Sequence, residues 1–405
     1  MIPFSPPRID QKIIDAVTGV LKSGWITTGP KTKSFEQKLS AYGSYPNTLC
    51  LNSATAGLEL ILRWYGVTEG DEVIIPAYTY SATANVVIHC GAKPVFADVH
   101  EDDFNINPDI VRHLINEKTK VIMPVDFGGF PCQYSRILAL VNEPSIRSRF
   151  KPSHENQKKL GRILVLSDAA HSLGAEVNGK KTGSLTDVSV FSFHAVKNLT
   201  TAEGGAIALN LPAPFDNAAE YASLCIKSLH GQNKDALAKT QKGSWRYDIV
   251  EAGYKCNMTD IMAAMGLVEL ERYDSETLPR RKDICRRYSE ALAGKSWARI
   301  PVFEKDSAVS SYHLYPLRIH NITEAQRDKI IALVFEKDVS VNVHFLPVPG
   351  MSFYKNLGYK ISDYPVAFDN YSREISLPVF YDLNEKDQNR VIEVLVNAVE
   401  TVLNG

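Results

Sequence analysis

Cysteine is scarce in this chain of 405 residues, and its six cysteines form no CxxC pair. They stand at positions 50, 90, 132, 225, 256 and 285 and make no metal-like cluster with histidine. This spacing argues against a disulfide scaffold and against the common zinc motifs. We therefore expect reduced, mostly buried thiols of a cytosolic protein, and no metal site.

Excess charge and long apolar runs are also missing. The 45 basic and 46 acidic residues leave a formal net charge of -1, so overall charge does not favour binding to nucleic acid or to a membrane surface. No run of 18 apolar residues occurs, and the amino terminus has no apolar core of signal-peptide length. We expect a soluble, cytoplasmic protein, long enough for a large and a smaller domain.

The most informative segment is a polar turn, Ser192 to Gly205, which separates two short apolar runs. Lys197 lies in this turn, so the sequence predicts a loop lysine between two strands. A lysine becomes a nucleophile toward carbonyl groups when burial lowers the pKa of its ammonium group. An isolated loop lysine is more simply explained as a solvated one, so the catalytic interpretation depends on other residues.

Asp168 closes an apolar run that begins at Ile163, at the carboxyl end of a predicted buried strand. Open α/β sheets bind ligands at this edge. A carboxylate there can keep a pyridinium nitrogen protonated, so Asp168 and Lys197 together suggest pyridoxal phosphate, with aspartate on the ring nitrogen and lysine on the aldehyde. For Asp168 alone, a cap of the following turn is an equally good explanation.

Small hydroxyl residues between Asn52 and Leu58 begin a predicted helix after a short apolar run. Free N–H groups and the helix dipole favour a phosphate at such a start, although a plain N-cap by Ser53 or Thr55 explains the same residues. Tyr80 follows the predicted strand Val73–Pro76, where an aromatic ring can stack on a flat cofactor or belong to the core.

One near-match to the phosphate-loop motif, Gly174 to Lys181, fails at its last position. Lys181 stands where the motif needs a hydroxyl group for magnesium. Asn178 and Gly179 are typical of a two-residue hairpin turn instead. We predict a hairpin here.

Apolar runs alternate with segments able to form helices through the first half of the chain, which predicts an α/β fold with a mainly parallel sheet. We assign residues 1–258 to a large domain and residues 259–405 to a smaller α+β domain. Residues 143–162 carry six Lys or Arg against two Asp or Glu, which predicts a surface loop or partly disordered insert. Because this segment leads into the strand that ends at Asp168, its tip should lie at the opposite edge of the sheet.

Taken together, the motifs resemble fold-type I pyridoxal phosphate enzymes, specifically the DegT/DnrJ/EryC1/StrS-type aminotransferases that act on nucleotide-linked keto-sugars. The similarity covers nearly the whole chain, and the lysine turn and the helix start at Ser53–Gly57 are close to the branch that makes 4-amino-4-deoxy-arabinose on a UDP carrier. It implies a homodimer and glutamate as the amino donor. The segments that carry it are Leu21–Pro30, Ser53–Gly57, Asp168–His171, Ser192–Gly205, Tyr312–Tyr315, Val343–Phe345 and Ser376–Pro378.

The resemblance implies specific contacts with pyridoxal 5'-phosphate. Lys197 would join covalently to the cofactor aldehyde, and Asp168 would pair with the pyridine nitrogen. Tyr80 would stack on the ring, and His171 would lie near the phenolic oxygen.

The resemblance also implies a phosphate site formed by Ala54, Thr55 and Ser192. In the family, an asparagine from the second subunit completes this site. Lys255 stands at that position here and Asn257 two residues later, so either could reach the phosphate.

The resemblance leaves two alternatives to an aminotransferase. One is a sugar dehydratase of the same fold, in which a histidine replaces the lysine, and Lys197 argues against it. The other is a non-catalytic regulatory protein that retains the fold. Asp126 departs from the family pattern, which commonly has a histidine near Pro124.

Overall fold

The computed structural model describes residues 1–234 and 246–404. Within these ranges, the strands in chain order are β1 (Asn47–Leu51), β2 (Glu72–Pro76), β3 (Lys93–Ala97), β4 (Thr119–Ile122), β5 (Leu164–Asp168), β6 (Glu176–Val177), β7 (Lys180–Lys181), β8 (Val188–Ser192), β9 (Gly205–Leu209), β10 (Ala298–Arg299), β11 (Glu304–Lys305), β12 (Ala308–Val309), β13 (Tyr315–Ile319) and β14 (Glu374–Leu377).

The α-helices of the same ranges are α1 (Gln11–Ser23), α2 (Pro30–Gly43), α3 (Ala54–Trp64), α4 (Ser81–His89), α5 (Pro108–Leu114), α6 (Tyr134–Asn142), α7 (Pro144–Arg147), α8 (Glu155–Leu160), α9 (Asn217–Ser228), α10 (Asp260–Glu271), α11 (Leu278–Leu292), α12 (Glu324–Phe335), α13 (Ser352–Asn356), α14 (Pro365–Arg373) and α15 (Glu385–Asn404).

The main sheet has seven strands in the described part of the chain, in the order β1-β9-β8-β5-β4-β2-β3. β3, β2, β4, β5 and β8 pair in parallel, whereas β9 runs antiparallel to both β8 and β1. All residues of β4, β5 and β9 are buried, which explains the apolar residues at 121–122, 164–166 and 206–209 in these strands. The predicted mainly parallel α/β sheet is confirmed.

The predicted hairpin at Asn178 and Gly179 is also present. β6 and β7 pair antiparallel around these two residues, which have φ angles of 52° and 71°. Positive φ at both positions is the conformation that a two-residue type I′ turn requires, and it explains the Asn-Gly pair.

The carboxyl-terminal part has its own core around the sheet β10-β13-β14 and helices α11, α12 and α15. Ile2 belongs to this core and forms a parallel bridge with Val339, so the amino-terminal segment crosses to it. Helix α10 instead shares a core cluster with α2. The division of the chain at residues 258 and 259 stays a prediction.

The basic segment, residues 143–162, corrects one expectation. It is not a loop, because it forms α7 and α8 and buries five side chains: Ile146, Phe150, Gln157, Leu160 and Arg162. Its charged residues hide this apolar face in the sequence. The Gln157 amide donates to the carbonyl groups of Tyr65 and Gly66, before β2 begins. The segment therefore lies at the amino ends of the strands, opposite Asp168, as predicted.

Two further expectations concern cysteine and membrane segments. All six cysteines are free, and five of them are buried, as predicted. In residues 1–234 and 246–404, no helix combines the length and apolar character needed to cross a bilayer.

Candidate active site

A cavity of about 530 Å³ opens where β5 and β8 end. Its size is in the range usual for small-molecule sites. Seven of the predicted site residues line it together: Ala54, Thr55, Tyr80, Asp168, His171, Ser192 and Lys197. Parallel strands bring these residues together because their carboxyl ends meet at one edge of the sheet.

Lys197 lies in the turn that joins β8 to β9, and its backbone N–H donates to the carbonyl of His194 at 2.9 Å. Burial of the ammonium group lowers the pKa of Lys197 to about 8, although the negative charge of Asp168 opposes this shift. At pH 7, about one tenth of the molecules then carry this side chain as an unprotonated amine. Such an amine can attack an aldehyde.

Asp168 ends β5 with only 6% of its surface exposed. Oδ2 accepts a hydrogen bond of 2.8 Å from the Thr83 hydroxyl, and Oδ1 accepts one of 3.2 Å from the N–H of Ala170. Burial raises the pKa of Asp168, while these hydrogen bonds and the Lys197 charge act against that rise. No ion pair in the described ranges includes this carboxylate, so it fits a protonated ring nitrogen as its partner.

His171, which lies shortly after Asp168 in the chain, also lines the cavity, and its imidazole is neutral. Its Nδ1 accepts a hydrogen bond of 3.2 Å from the N–H of Gly128, so the ring hydrogen is on Nε2. Burial and the Lys197 charge hold the pKa of His171 well below its usual value. His171 can therefore donate a hydrogen bond to a phenolic oxygen without carrying charge.

His313 packs beside His171, with 4.3 Å between the ring centroids. The amide group of Asn198 fixes its tautomer. Nδ2 of Asn198 donates to the carbonyl of Ser311 at 2.8 Å, and Oδ1 therefore accepts from Nδ1 of His313 at 2.9 Å. Because Asn198 follows Lys197 in the chain, this bond also holds the lysine turn in place.

The start of α3 supplies backbone donors. Ser53 caps the helix, because its hydroxyl accepts a hydrogen bond of 3.1 Å from the N–H of Ala56. This is the plain N-cap that the sequence analysis gave as the alternative to a phosphate site. The N–H groups of Ala54 and Thr55 still have no acceptor within the helix. A Cβ atom on Gly205 would lie 2.4 Å from the nitrogen of Ala54, so only glycine allows β9 this close to the helix start.

These groups fit pyridoxal phosphate. The free N–H groups at the start of α3 suit a phosphate, because the helix dipole favours negative charge there. The Ser192 and Thr55 side chains line the same cavity as those donors. A buried carboxylate and a desolvated lysine amine complete the set of groups that the cofactor needs.

Tyr80 lies at the rim of the cavity with 60% of its surface exposed. Its ring centroid is 5.7 Å from that of Phe345, at an angle of 55°. Stacking of Tyr80 on a cofactor ring stays a prediction.

Lys255 and Asn257 do not line the cavity of their own chain. The amide Nδ2 of Asn257 donates to Oγ1 of Thr28 at 2.5 Å, and its Oδ1 accepts from the Lys255 ammonium group. If either residue contacts a phosphate, it does so in another subunit.

Three residues of the site were missed by the sequence reasoning. His313 and His344 line the cavity and stand in motifs that carried the family resemblance, but they received no role. Thr83 reaches the site through its hydrogen bond to Asp168. Asp126, the departure from the family pattern, is fully buried and accepts hydrogen bonds from Ser172 and Tyr134, at 2.6 Å and 2.5 Å. It thereby supports the loop that carries Asp168 and His171.

Comparison with known proteins places this geometry in a family. The model of the DegT/DnrJ/EryC1/StrS aminotransferase family matches residues 7–148 and 154–396. The spore coat polysaccharide biosynthesis protein SpsC of Bacillus subtilis is 36% identical over 403 residues, which cover 98% of this chain and 97% of SpsC. The UDP-4-amino-4-deoxy-L-arabinose--oxoglutarate aminotransferase of Shewanella sediminis is 34% identical over 408 residues, covering 98% of both proteins.

Solved structures agree with this assignment. The putative sugar aminotransferase Spr1654 of Streptococcus pneumoniae, in its PMP form, has a TM-score of 0.95 and 46% identity, covering 99% of this chain and 100% of that chain. PseC of Helicobacter pylori has a TM-score of 0.85 and 27% identity, covering 99% of each chain. The chain therefore belongs to the DegT/DnrJ/EryC1/StrS aminotransferase family and is a pyridoxal-phosphate-dependent aminotransferase of fold type I.

Proposed function

We propose that this enzyme transfers an amino group from glutamate to the keto group of a nucleotide-linked sugar. The observation that carries the proposal is the presence of Lys197, Asp168 and the open start of α3 in one cavity. The relative in Shewanella sediminis supports the finer substrate class, because its name specifies a UDP-sugar and oxoglutarate. Lys197 argues against the dehydratase alternative, in which a histidine takes its place.

Each site residue has a definable role in this reaction. When bound, pyridoxal phosphate supplies an electron-poor ring that stabilises negative charge on the substrate carbon. Asp168 would hold a proton on the ring nitrogen and is itself held by Thr83. Nζ of Lys197 would carry a proton between the substrate carbon and the carbon of the cofactor aldehyde, and it takes that proton up in its unprotonated form. The buried surroundings of both groups exclude water from the reacting atoms.

We further propose that the active unit is a homodimer in which Lys255 or Asn257 of one subunit contacts the phosphate site of the other. Lys255 is exposed, and Ile249 and Val250 nearby expose 51% and 56% of their surfaces. Apolar side chains exposed together favour a contact with another protein surface. The free thiols support a reducing, cytoplasmic location.

The proposed function is tested by a substrate panel. The enzyme is first converted by glutamate to its amino form, and the excess amino acid is removed. Each of several nucleotide keto-sugars is then added, and the return of the aldehyde-form absorbance is followed together with the mass of the amino-sugar product. The Lys197→Ala protein serves as the inactive control.

Return of the aldehyde form with one nucleotide keto-sugar, but not with the free sugar, supports the proposal. Conversion of a keto acid alone, with no reaction on any nucleotide-sugar, contradicts it. A dehydratase would release water from the sugar without gaining nitrogen. A regulatory protein would convert neither glutamate nor any sugar.

A further inference from the structure

Two motifs that the aminotransferase assignment leaves without a role meet beside the cavity. His344, from the Val343–Phe345 motif, lines the cavity, and its Nδ1 is 2.8 Å from Oγ of Ser376, from the Ser376–Pro378 motif. The hydroxyl group of Ser376 is also hydrogen-bonded to Oε1 of Glu374. Oε2 of Glu374 accepts the backbone N–H of His344 at 2.9 Å, which closes the chain of contacts.

This chain of hydrogen bonds accommodates two arrangements of hydrogen atoms. If Glu374 is ionised, Ser376 donates to it and must accept from Nδ1–H of His344, which leaves the lone pair of Nε2 open. If Glu374 is protonated, it donates to Ser376, which in turn donates to Nδ1, and the ring hydrogen moves to Nε2. The two arrangements differ by one proton, and the imidazole is neutral in both.

Nε2 is the ring nitrogen of His344 that does not contact Ser376, and His344 lines the cavity. Oδ1 of Asn342 accepts the N–H of Val343 at 2.8 Å, so Asn342 presents its amide nitrogen, 3.5 Å from Nε2. A contact this long leaves Nε2 accessible to a ligand. The ring is held by Phe4, which stacks on it with 5.5 Å between centroids at an angle of 30°.

Burial favours proton storage on Glu374 rather than on His344. It raises the pKa of Glu374 to about 8, against the charges of Arg318 and Arg327, whereas burial and the Lys197 charge lower the pKa of His344 to about 3. Glu374 has no ion pair in the described ranges, because its neighbouring arginines bind other oxygen atoms. The titratable groups that face Glu374 or His344 from other elements are Tyr78, His171, Lys197, His313, Arg318 and Arg327.

We propose that His344, Ser376 and Glu374 form a proton relay that carries one proton from an ammonium group in the cavity to a buried carboxylate. One N–H bond of the ammonium group breaks, and that hydrogen forms a covalent bond to Nε2 of His344. The hydrogen on Nδ1 moves to Oγ of Ser376, and the hydroxyl hydrogen moves to Oε1 of Glu374. A positive and a negative charge are consumed, and a neutral amine, imidazole and carboxylic acid remain.

The relay rests on the proposed function only for the source of its proton. An amino donor carries an ammonium group near neutral pH and must lose a proton before its nitrogen can attack a carbonyl carbon. His344 is then a catalytic residue, because it touches the donor. Ser376 and Glu374 act through His344 and are positioning residues.

The first test measures the tautomer of His344 without any substrate. Nitrogen NMR of histidine-labelled, full-length holoenzyme, with the signal assigned by a His344→Gln variant, should show hydrogen on Nε2 below pH about 8 and on Nδ1 above it. The Glu374→Gln variant should keep hydrogen on Nε2 at every pH, because its amide donates to Ser376. The Ser376→Ala variant should lose the pH dependence. Ser372→Ala, which removes a buried hydroxyl that donates to the backbone carbonyl of Asp369, is the matched control.

A wild-type tautomer that stays the same on both sides of that pH would overturn the relay, as would an imidazolium signal. The second test compares the rate of the glutamate half-reaction in wild type and in Glu374→Gln. Their ratio should rise about tenfold per pH unit and level off above pH about 8. A constant ratio would indicate a merely structural role. Since the tautomer test needs no substrate, failure of the sugar panel would leave it intact.

Discussion

The hydroxyl group of Thr83 donates a hydrogen bond of 2.8 Å to Oδ2 of Asp168, which joins the first turn of α4 to the end of β5. Both side chains are buried, and the carboxylate also accepts the backbone N–H of Ala170. A hydrogen bond to the charged form favours that form. Thr83 therefore helps to keep Asp168 ionised against the effect of burial.

We expect Thr83→Val to lower the transamination rate about tenfold, or about 1.4 kcal/mol, because it removes this donor while keeping the shape of the side chain. The measurement is kcat with glutamate at several pH values, and the pKa that limits activity on the acid side should move upward. Thr186→Val is the control, since that buried hydroxyl bonds to the carbonyl of Val188 away from the cavity. An unchanged rate in Thr83→Val would assign Thr83 to structure alone.

Asp168→Asn should lower the rate by several orders of magnitude while the protein stays folded. A neutral amide no longer holds a proton on a ring nitrogen, and the stabilisation of negative charge on the substrate carbon depends on that proton. The rate is measured beside the thermal unfolding midpoint, which separates chemistry from stability. A loss of less than about tenfold, or about 1.4 kcal/mol, would indicate that Asp168 mainly caps the following turn.

The pKa of Lys197, about 8, predicts how the rate of covalent cofactor capture depends on pH. Below this value the ammonium form predominates and cannot attack an aldehyde, so the rate of covalent capture should rise with pH and level off above about 8. Borohydride reduction followed by mass spectrometry measures the bond. Lys197→Ala should show no added mass, whereas Lys158→Ala, on the exposed face of α8, should behave as wild type. A covalent adduct on Lys197→Ala would show that another residue captures the aldehyde.

The proposed contribution of one subunit to the phosphate site of the other can be tested by complementation. Lys197→Ala and a Lys255→Ala, Asn257→Ala double variant should each be inactive alone, yet a mixture that allows subunit exchange should regain activity. One of the two sites in a mixed dimer would then have an intact lysine and an intact partner segment. Lys197→Ala mixed with itself is the control. A fully active monomer in sedimentation would contradict the dimer.

The elements predicted correctly from the sequence are those that a local residue pattern determines. Apolar runs bounded by polar residues predicted the position of β5, which ends at Asp168. They also predicted that the lysine turn lies between two strands, which are β8 and β9. Asn178 and Gly179 identified a hairpin because few other residues adopt two successive positive φ values. In each case the signal and the structure lie within the same few residues.

Long-range packing accounts for what the sequence did not reveal. His344 and Ser376 are separated by 32 positions and meet only because the segment of Asn342 pairs with β14. The donor to Asp168 comes from Thr83, 85 positions away, with no spacing pattern to mark it. In the basic segment, lysine and arginine residues stand between the buried positions and conceal a short apolar face. The amino-acid composition of such a segment reflects its exposed side chains more than its few buried ones.

That segment provides the last prediction. Gln157 is fully buried in α8, where its amide group donates to Tyr65 and Gly66 and accepts the N–H of Ser153 at 2.9 Å. Gln157→Ala should lower the free energy of unfolding by about 3 kcal/mol, because buried backbone groups lose their partners. The KM for the sugar nucleotide should stay within about threefold, or under about 1 kcal/mol, since α8 lies at the edge of the sheet opposite Asp168. Chemical denaturation measures the first quantity, and Lys158→Ala, which should change it by at most about 0.5 kcal/mol, is the control on the same helix. A marked rise in KM with unchanged stability would mean that this segment reaches a substrate site, which the geometry of a single subunit does not allow.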